Sequence, residues 1–186
     1  SRVCDSSCKS LLEIQTRLSL LYPDFDVCRM PAAVLGEEAS PIVANAPTSG
    51  ESFSWHVDAD PACVPPSPWR DRYGSYYNRE PYKPLFVTAL LYLDSEWPNE
   101  WDAETLFLDP ETQTGVFVRP KAGRLVLMDQ DVTHRVSAPS PLAGKRPRYS
   151  LVWKLVLHPK THAAKERPSI LRPEWDPPVR FGSAGG

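Results

Sequence analysis

Apolar residues recur along this chain with two different periods, and the change of period divides it. Between residues 6 and 22, Leu11, Ile14, Leu18 and Leu21 return at steps of three and four, with Leu12 on the flank. That spacing puts one apolar stripe on a helix. Asp5 or Ser6 would cap an early start, Ser10 with Glu13 a late one, and Tyr22-Pro23-Asp24 ends the segment. From Pro41 onward the period is two, in short runs separated by turn chemistry. Pro41–Ala46, Phe53–Asp58, Leu85–Leu93, Glu104–Leu108, Gly115–Arg119, Arg124–Met128 and Arg148–Leu157 read as strands, with a shorter run at Arg135-Val136-Ser137. Leu85–Leu93 (LFVTALLYL) is the most apolar and is expected at the centre of a sheet. Asp109-Pro110-Glu111-Thr112 and Pro120-Lys121-Ala122-Gly123 are turns between neighbours.

A set of about eight short strands behind one helix predicts a mainly β protein, a double-stranded β-helix (jelly roll) with an N-terminal buttressing helix. The 186 residues fit a single domain with its core at about 41–157. Two stretches break the pattern. Ala59–Pro84 has no clear period and carries Trp69, Arg70, Arg72, Tyr73, Tyr76, Tyr77, Arg79 and Tyr82, an aromatic and cationic set suited to a lid or binding loop. Residues 159–186 are polar and proline-rich, an expected extended tail.

Composition narrows the classes. Twenty-one prolines disfavour a helical bundle. A formal net charge of -2, with both signs mixed, gives no nucleic-acid footprint. No apolar run approaches the roughly 20 residues of a bilayer span. Cys4, Cys8, Cys28 and Cys63 include no CxxC pair and are expected to be free or packing residues. Compartment and oligomeric state are not legible.

The candidate chemistry lies in His56-Val57-Asp58, His134 and Arg148-Tyr149-Ser150. Residues i and i+2 of a strand face one way, so His56 and Asp58 project together while Val57 points into packing. Two imidazoles and a carboxylate can occupy one face of an Fe(II) ion and leave positions open. Arg148 and Ser150 share a strand face with Val152 beyond them. A guanidinium inside a barrel needs an anion, and a dicarboxylate would supply it, with Ser150 and Tyr92 adding hydroxyl donors. Asp129 and Asp131 are rival ligands but fall in an exposed-looking turn. Asp60 is expected to be a solvated carboxylate, and His158 and His162 surface residues. Lys145 and Arg146, in a Gly- and Pro-containing loop, are rival anchors.

WHVD at 55–58, ALLYLDSEW at 89–97, EWDAETLFLD at 100–109, KAGRLVLMD at 121–129, HRVSAP at 134–139 and RYSLVWKLV at 148–156 resemble the 2-oxoglutarate- and Fe(II)-dependent dioxygenases, in particular the prolyl-hydroxylase-like branch. The resemblance runs from about Pro41 to Leu157. It implies that His56, Asp58 and His134 bind Fe(II) and that Arg148 pairs with the distal carboxylate of 2-oxoglutarate. It makes Tyr92 the tyrosine that assists, with ascorbate as a reductant. Many members carry Gly-Gly where this chain has Asp102-Ala103, and collagen-type members use lysine where it has Arg148. The implied function is hydroxylation of a C–H bond in a peptide or protein side chain with O₂. The alternatives are the same chemistry on a small metabolite, or a non-catalytic jelly-roll binding module.

Overall fold

The computed structural model describes residues 9–31, 34 and 42–160. Helix α1 spans Lys9–Leu21 and is followed by strand β1 (Phe25–Arg29) and β2 (Ile42–Asn45). A six-residue helix α2 (Pro68–Tyr73) precedes β3 (Leu85–Tyr92), β4 (Thr105–Asp109), β5 (Thr114–Val118), β6 (Leu125–Asp129), β7 (His134–Val136) and β8 (Ser150–Pro159). A five-stranded antiparallel sheet has the order β1-β8-β3-β6, with β2 pairing the first half of β8 beside β1 on the second half. A three-stranded antiparallel sheet has the order β5-β4-β7. The two sheets are the layers of a jelly roll.

Alternation sorts each long strand into two faces. On β3, Leu85, Val87, Ala89 and Leu91 join Trp153, Leu155 and Leu157 of β8 in one apolar cluster, closed by Leu18 and Leu21 of α1. The helix thus buttresses the outside of the large sheet, and its flank residue Leu12 stays exposed. The opposite residues of β3 are Phe86, Thr88, Leu90 and Tyr92, all buried, so this strand is covered on both faces. That burial is why its sequence is nearly continuous in apolar residues.

Several expectations need correction. Phe53–Asp58 is not a regular strand: it joins β7 through a single bridge, His56 to His134. Phe53 N–H bonds Val136 O and His56 N–H bonds His134 O, so three residue steps on one side span two on the other. That is a β-bulge, which breaks the ladder and re-aims side chains. As a result Val57 faces solvent at 44% exposure rather than packing. Arg148 and Tyr149 precede β8 instead of opening it, and Arg148 N–H bonds Pro47 O. β1 was not anticipated. Its five residues carry only Phe25 and Val27 as an apolar pair, and the strand exists because β8 runs on to Pro159 beside it.

The Ala59–Pro84 segment is built down onto the barrel. Ser67 caps α2, Pro68 starts it and Gly74 (φ 73) ends it. Trp69 and Val64 pack with Met30, Phe86 and Val156 in a second apolar cluster. Asn78 holds both the N–H and the carbonyl of Phe86 and also reaches Asp131, while Arg79 pairs with Asp129. The two aspartates are therefore engaged by side chains, Asp129 half-buried and Asp131 exposed in the turn as expected. His158 is half-buried, its ring against Trp69 and Tyr73, and not on the surface. Cys28 and Cys63 are free and exposed. Cys4, Cys8, His162 and the tail from 161 lie outside the described residues. No described helix is long and apolar enough to cross a membrane.

Candidate metal and co-substrate site

The bridge between the bulged segment and β7 brings two distant imidazoles side by side, with ring centroids 4.3 Å apart. Asp58 joins them: one ligand atom from each of His56, Asp58 and His134 lies within 4.8 Å of the others. Each histidine ring is oriented by a backbone carbonyl. His56 Nδ1 is 2.8 Å from Ser54 O, and His134 Nδ1 is 2.9 Å from Val132 O. A carbonyl only accepts, so each Nδ1 carries the proton and each Nε2 keeps a free lone pair. Burial holds His134 below the ordinary imidazole range, which favours the neutral, ligand-competent form. Asp58 N–H and Ala59 N–H both bond Gln130 O. The Gln130 side chain in turn is buried and donates to Val87 O and Leu155 O, tying this corner to the large sheet.

Asp58 is held at both oxygens. Thr88 Oγ1 donates to Oδ2 at 2.6 Å, and Lys154 Nζ lies 3.3 Å from Oδ1. Thr88 and Lys154 face each other across β3 and β8. His56 remains open to solvent, with a side chain 41% exposed, and Trp55 and Val57 beside it are exposed too. The His56, Asp58 and His134 cluster therefore sits at a mouth. Asp60 caps the turn at Pro61–Cys63 by accepting from Ala62 N–H.

Deeper in the barrel is a cation with no carboxylate in direct contact among the described residues, Asp94 acting on it only from a distance. Arg148 is 0% exposed. Its Nη1 donates to Ser150 Oγ and its Nη2 to Thr105 Oγ1, each at 3.2 Å, and its Cζ lies 4.7 Å from the Tyr92 ring centroid. Tyr92 Oη shares a 2.7 Å hydrogen bond with Thr105 Oγ1. Arg148 Nε is buried with no partner, and no ion pair among the described residues includes this guanidinium. Burial pushes the Arg148 pKa down from the usual guanidinium value. An isolated buried charge costs several kcal/mol. Lys145 and Arg146, the rivals, are exposed.

The strand register gives the spacing between the two features. On β4, Phe107 lies opposite His134, and Thr105, on the same face, contacts Arg148. Two residues along a strand span about 7 Å. A short keto diacid could reach from a metal at the triad to the guanidinium. Thr88, Thr105, Gln130 and Lys154 were not anticipated. Lys154 had a legible signal: a charge inside the apolar run LVWKLVL, on the same alternation as Ser150.

A jelly roll carrying a 2-His-1-carboxylate cluster at its mouth defines a non-haem metal oxygenase architecture. The chain belongs to the 2OG-Fe(II) oxygenase superfamily, whose pattern it matches over residues 42–153. It is thereby a 2-oxoglutarate-dependent dioxygenase, a class that uses Fe(II), 2-oxoglutarate and O₂. No curated protein matches it. Among solved structures it is similar to a prolyl hydroxylase from Trichoplax adhaerens in complex with a hypoxia inducible factor oxygen degradation domain peptide fragment. That pair has 17% identity and a TM-score of 0.50, over 88% of this chain and 63% of that one. A prolyl-4-hydroxylase from Pseudomonas putida has 16% identity and a TM-score of 0.45, over 87% and 69%. One from Phytophthora capsici has 25% and 0.43, over 79% and 39%. The two free Nε2 atoms with Asp58 suit a divalent metal, and the orphaned Nε of Arg148 suits a bound dicarboxylate.

Proposed function

We propose that this chain hydroxylates a C–H bond in a peptide or protein side chain. His56, Asp58 and His134 would hold Fe(II). Arg148, with Ser150, Thr105 and Tyr92 around it, would hold the distal carboxylate of 2-oxoglutarate. The buried guanidinium, with no direct carboxylate partner among the described residues, carries the reading. Burial without a direct ion pair costs several kcal/mol, and a dicarboxylate would offset it with a bidentate pair.

Fe(II) with 2-oxoglutarate would supply the activation of O₂ and the oxidation of the C–H bond. The chain supplies position and exclusion. Ser54 and Val132 carbonyls fix the imidazole planes, and Thr88 fixes Asp58. Phe86, Leu90 and Val156 keep water from the interior behind the ligands. Exposed Trp55 and Val57 flank His56 and offer an apolar rim on which an extended chain can lie. The peptide fragment held by the Trichoplax adhaerens relative supports the substrate class.

The test is turnover with proline-containing peptides in the presence of Fe(II), 2-oxoglutarate and O₂. Succinate release and a mass gain of one oxygen on the peptide are expected, and Asp58→Ala should lose both. Oxidation of small metabolites with peptides untouched would replace the substrate class. No succinate under any condition would leave a binding module.

A further inference from the structure

The outer face of the small sheet carries two cations outside any ion pair, each laid on an exposed aromatic ring. On β7, His134 and Val136 are buried, and Arg135 between them points the other way. Leu106 of β4 lies opposite Arg135 on one side and opposite Phe117 of β5 on the other. Trp55 continues this row past β7, with the Arg135 Cζ 5.0 Å from its ring centroid. At the far end Arg119, just past β5, covers Phe117 with its Cζ 5.9 Å from that ring. Trp55 is 42% exposed and Phe117 58%. No ion pair includes either guanidinium among the described residues, and Arg135 Nε has no hydrogen-bond partner. Glu104 on the same face is bonded to Ser137 Oγ at 2.8 Å, on the side of β4 away from β5. Trp55 adjoins His56 and Arg135 adjoins His134, so the row starts at the rim of the mouth and runs outward from it.

We propose that this row docks an acidic, extended segment of the polypeptide whose side chain enters the mouth, an inference that rests on the peptide reading above. A guanidinium laid flat on a ring keeps its edge donors for a carboxylate, and the exposed rings take up the apolar parts of the same segment. Arg135 and Arg119 are two strands apart and two residues along, about 12 Å, which an extended chain covers in roughly four residues. Carboxylates at that spacing, flanking the reacting residue, meet both cations. Single-stranded nucleic acid also offers anions and stacking faces. Two cations on a chain of formal net charge -2 do not make the positive groove that its backbone requires. Arg119 and Arg135 are thus specificity residues on the substrate's flank and take no part in the chemistry.

The experiment measures fluorescence anisotropy of labelled proline-containing peptides on the whole protein, with Mn(II) and 2-oxoglutarate present and O₂ excluded. One peptide carries two glutamates about four residues apart, and its counterpart carries glutamines there. At low salt the glutamate peptide should bind about 4- to 25-fold more tightly, since each exposed charge pair contributes about 2- to 5-fold. High salt should close the gap. Arg119→Gln and Arg135→Gln should each remove about 2- to 5-fold of the preference and leave the glutamine peptide unaffected. The double change Arg119→Glu with Arg135→Glu should turn the preference toward a peptide with lysines at the same positions. Equal binding of the glutamate and glutamine peptides, or a preference that survives both glutamine substitutions, would overturn the proposal. So would oligothymidylate binding the same face more tightly than the glutamate peptide. Oxidation of both peptides at equal rates once Fe(II) and O₂ are supplied would keep the peptide reading and remove the docking surface. Glutamate-dependent binding with no peptide oxidised would remove the peptide reading and keep the surface.

Discussion

The same two strands, β3 and β8, build two unlike regions. Their outward residues Leu85, Val87, Ala89, Trp153, Leu155 and Leu157 lie in an apolar cluster under α1. Their inward residues include Thr88, Tyr92, Ser150 and Lys154, and these surround Asp58 and Arg148. The outer face gains stability from each side chain it buries. The inner face buries hydroxyls, a lysine–aspartate pair and a guanidinium with no direct ion pair, which add less stability than apolar packing until ligands arrive. Alternation lets a strand do both, because neighbouring residues never share a face.

The contrast can be broken from either side. Trp153→Ala removes a large buried outer residue and should cost about 3–5 kcal/mol, read from denaturant midpoints. Metal binding by the folded fraction should survive it. Arg148→Met should do the reverse. The ligand-free protein should be unchanged or more stable by about 1–4 kcal/mol, because a buried unpaired charge is replaced by an apolar group. Its 2-oxoglutarate affinity, measured by calorimetry with Mn(II), should fall on the order of 100-fold, the usual consequence of removing one partner of a buried ion pair. A ligand-free variant that is less stable and still binds 2-oxoglutarate would deny that the inner face trades stability for function.

A smaller effect is expected where β4 enters the site. Asp102 and Ala103 have φ of 55° and 64°, a region that favours glycine. These are the positions at which many members of the superfamily carry Gly-Gly. Asp102→Gly and Ala103→Gly should each stabilise by about 0.5–1 kcal/mol in thermal unfolding. On the solvent side of α1, Leu12→Glu should change stability by less than about 0.5 kcal/mol, since Leu12 is exposed.

Much of the site could be read from residue order. His56 with Asp58, and Arg148 with Ser150, are each a two-step pair, so strand alternation predicted a common direction, although neither pair lies wholly within a regular strand. Leu11, Ile14, Leu18 and Leu21 likewise fix the buried side of α1. The failures have a shared cause. Val57 was expected in packing, yet the bulge opposite β7 turns it to solvent. β1 has too little pattern of its own and depends on the far end of β8. The Ala59–Pro84 segment has no period because its aromatic residues reach a cluster set by Phe86 and Val156.

Period is a local property, and it determined which side chains of each element look the same way, hence the candidate ligands and the candidate anchor. Pairing across strands is not local. Only the folded chain decided that His56 meets His134, that Arg148 is buried with no direct ion pair among the described residues, and that Lys154 reaches Asp58. Register and desolvation depend on segments far apart in the sequence, and no single run of residues contains that information.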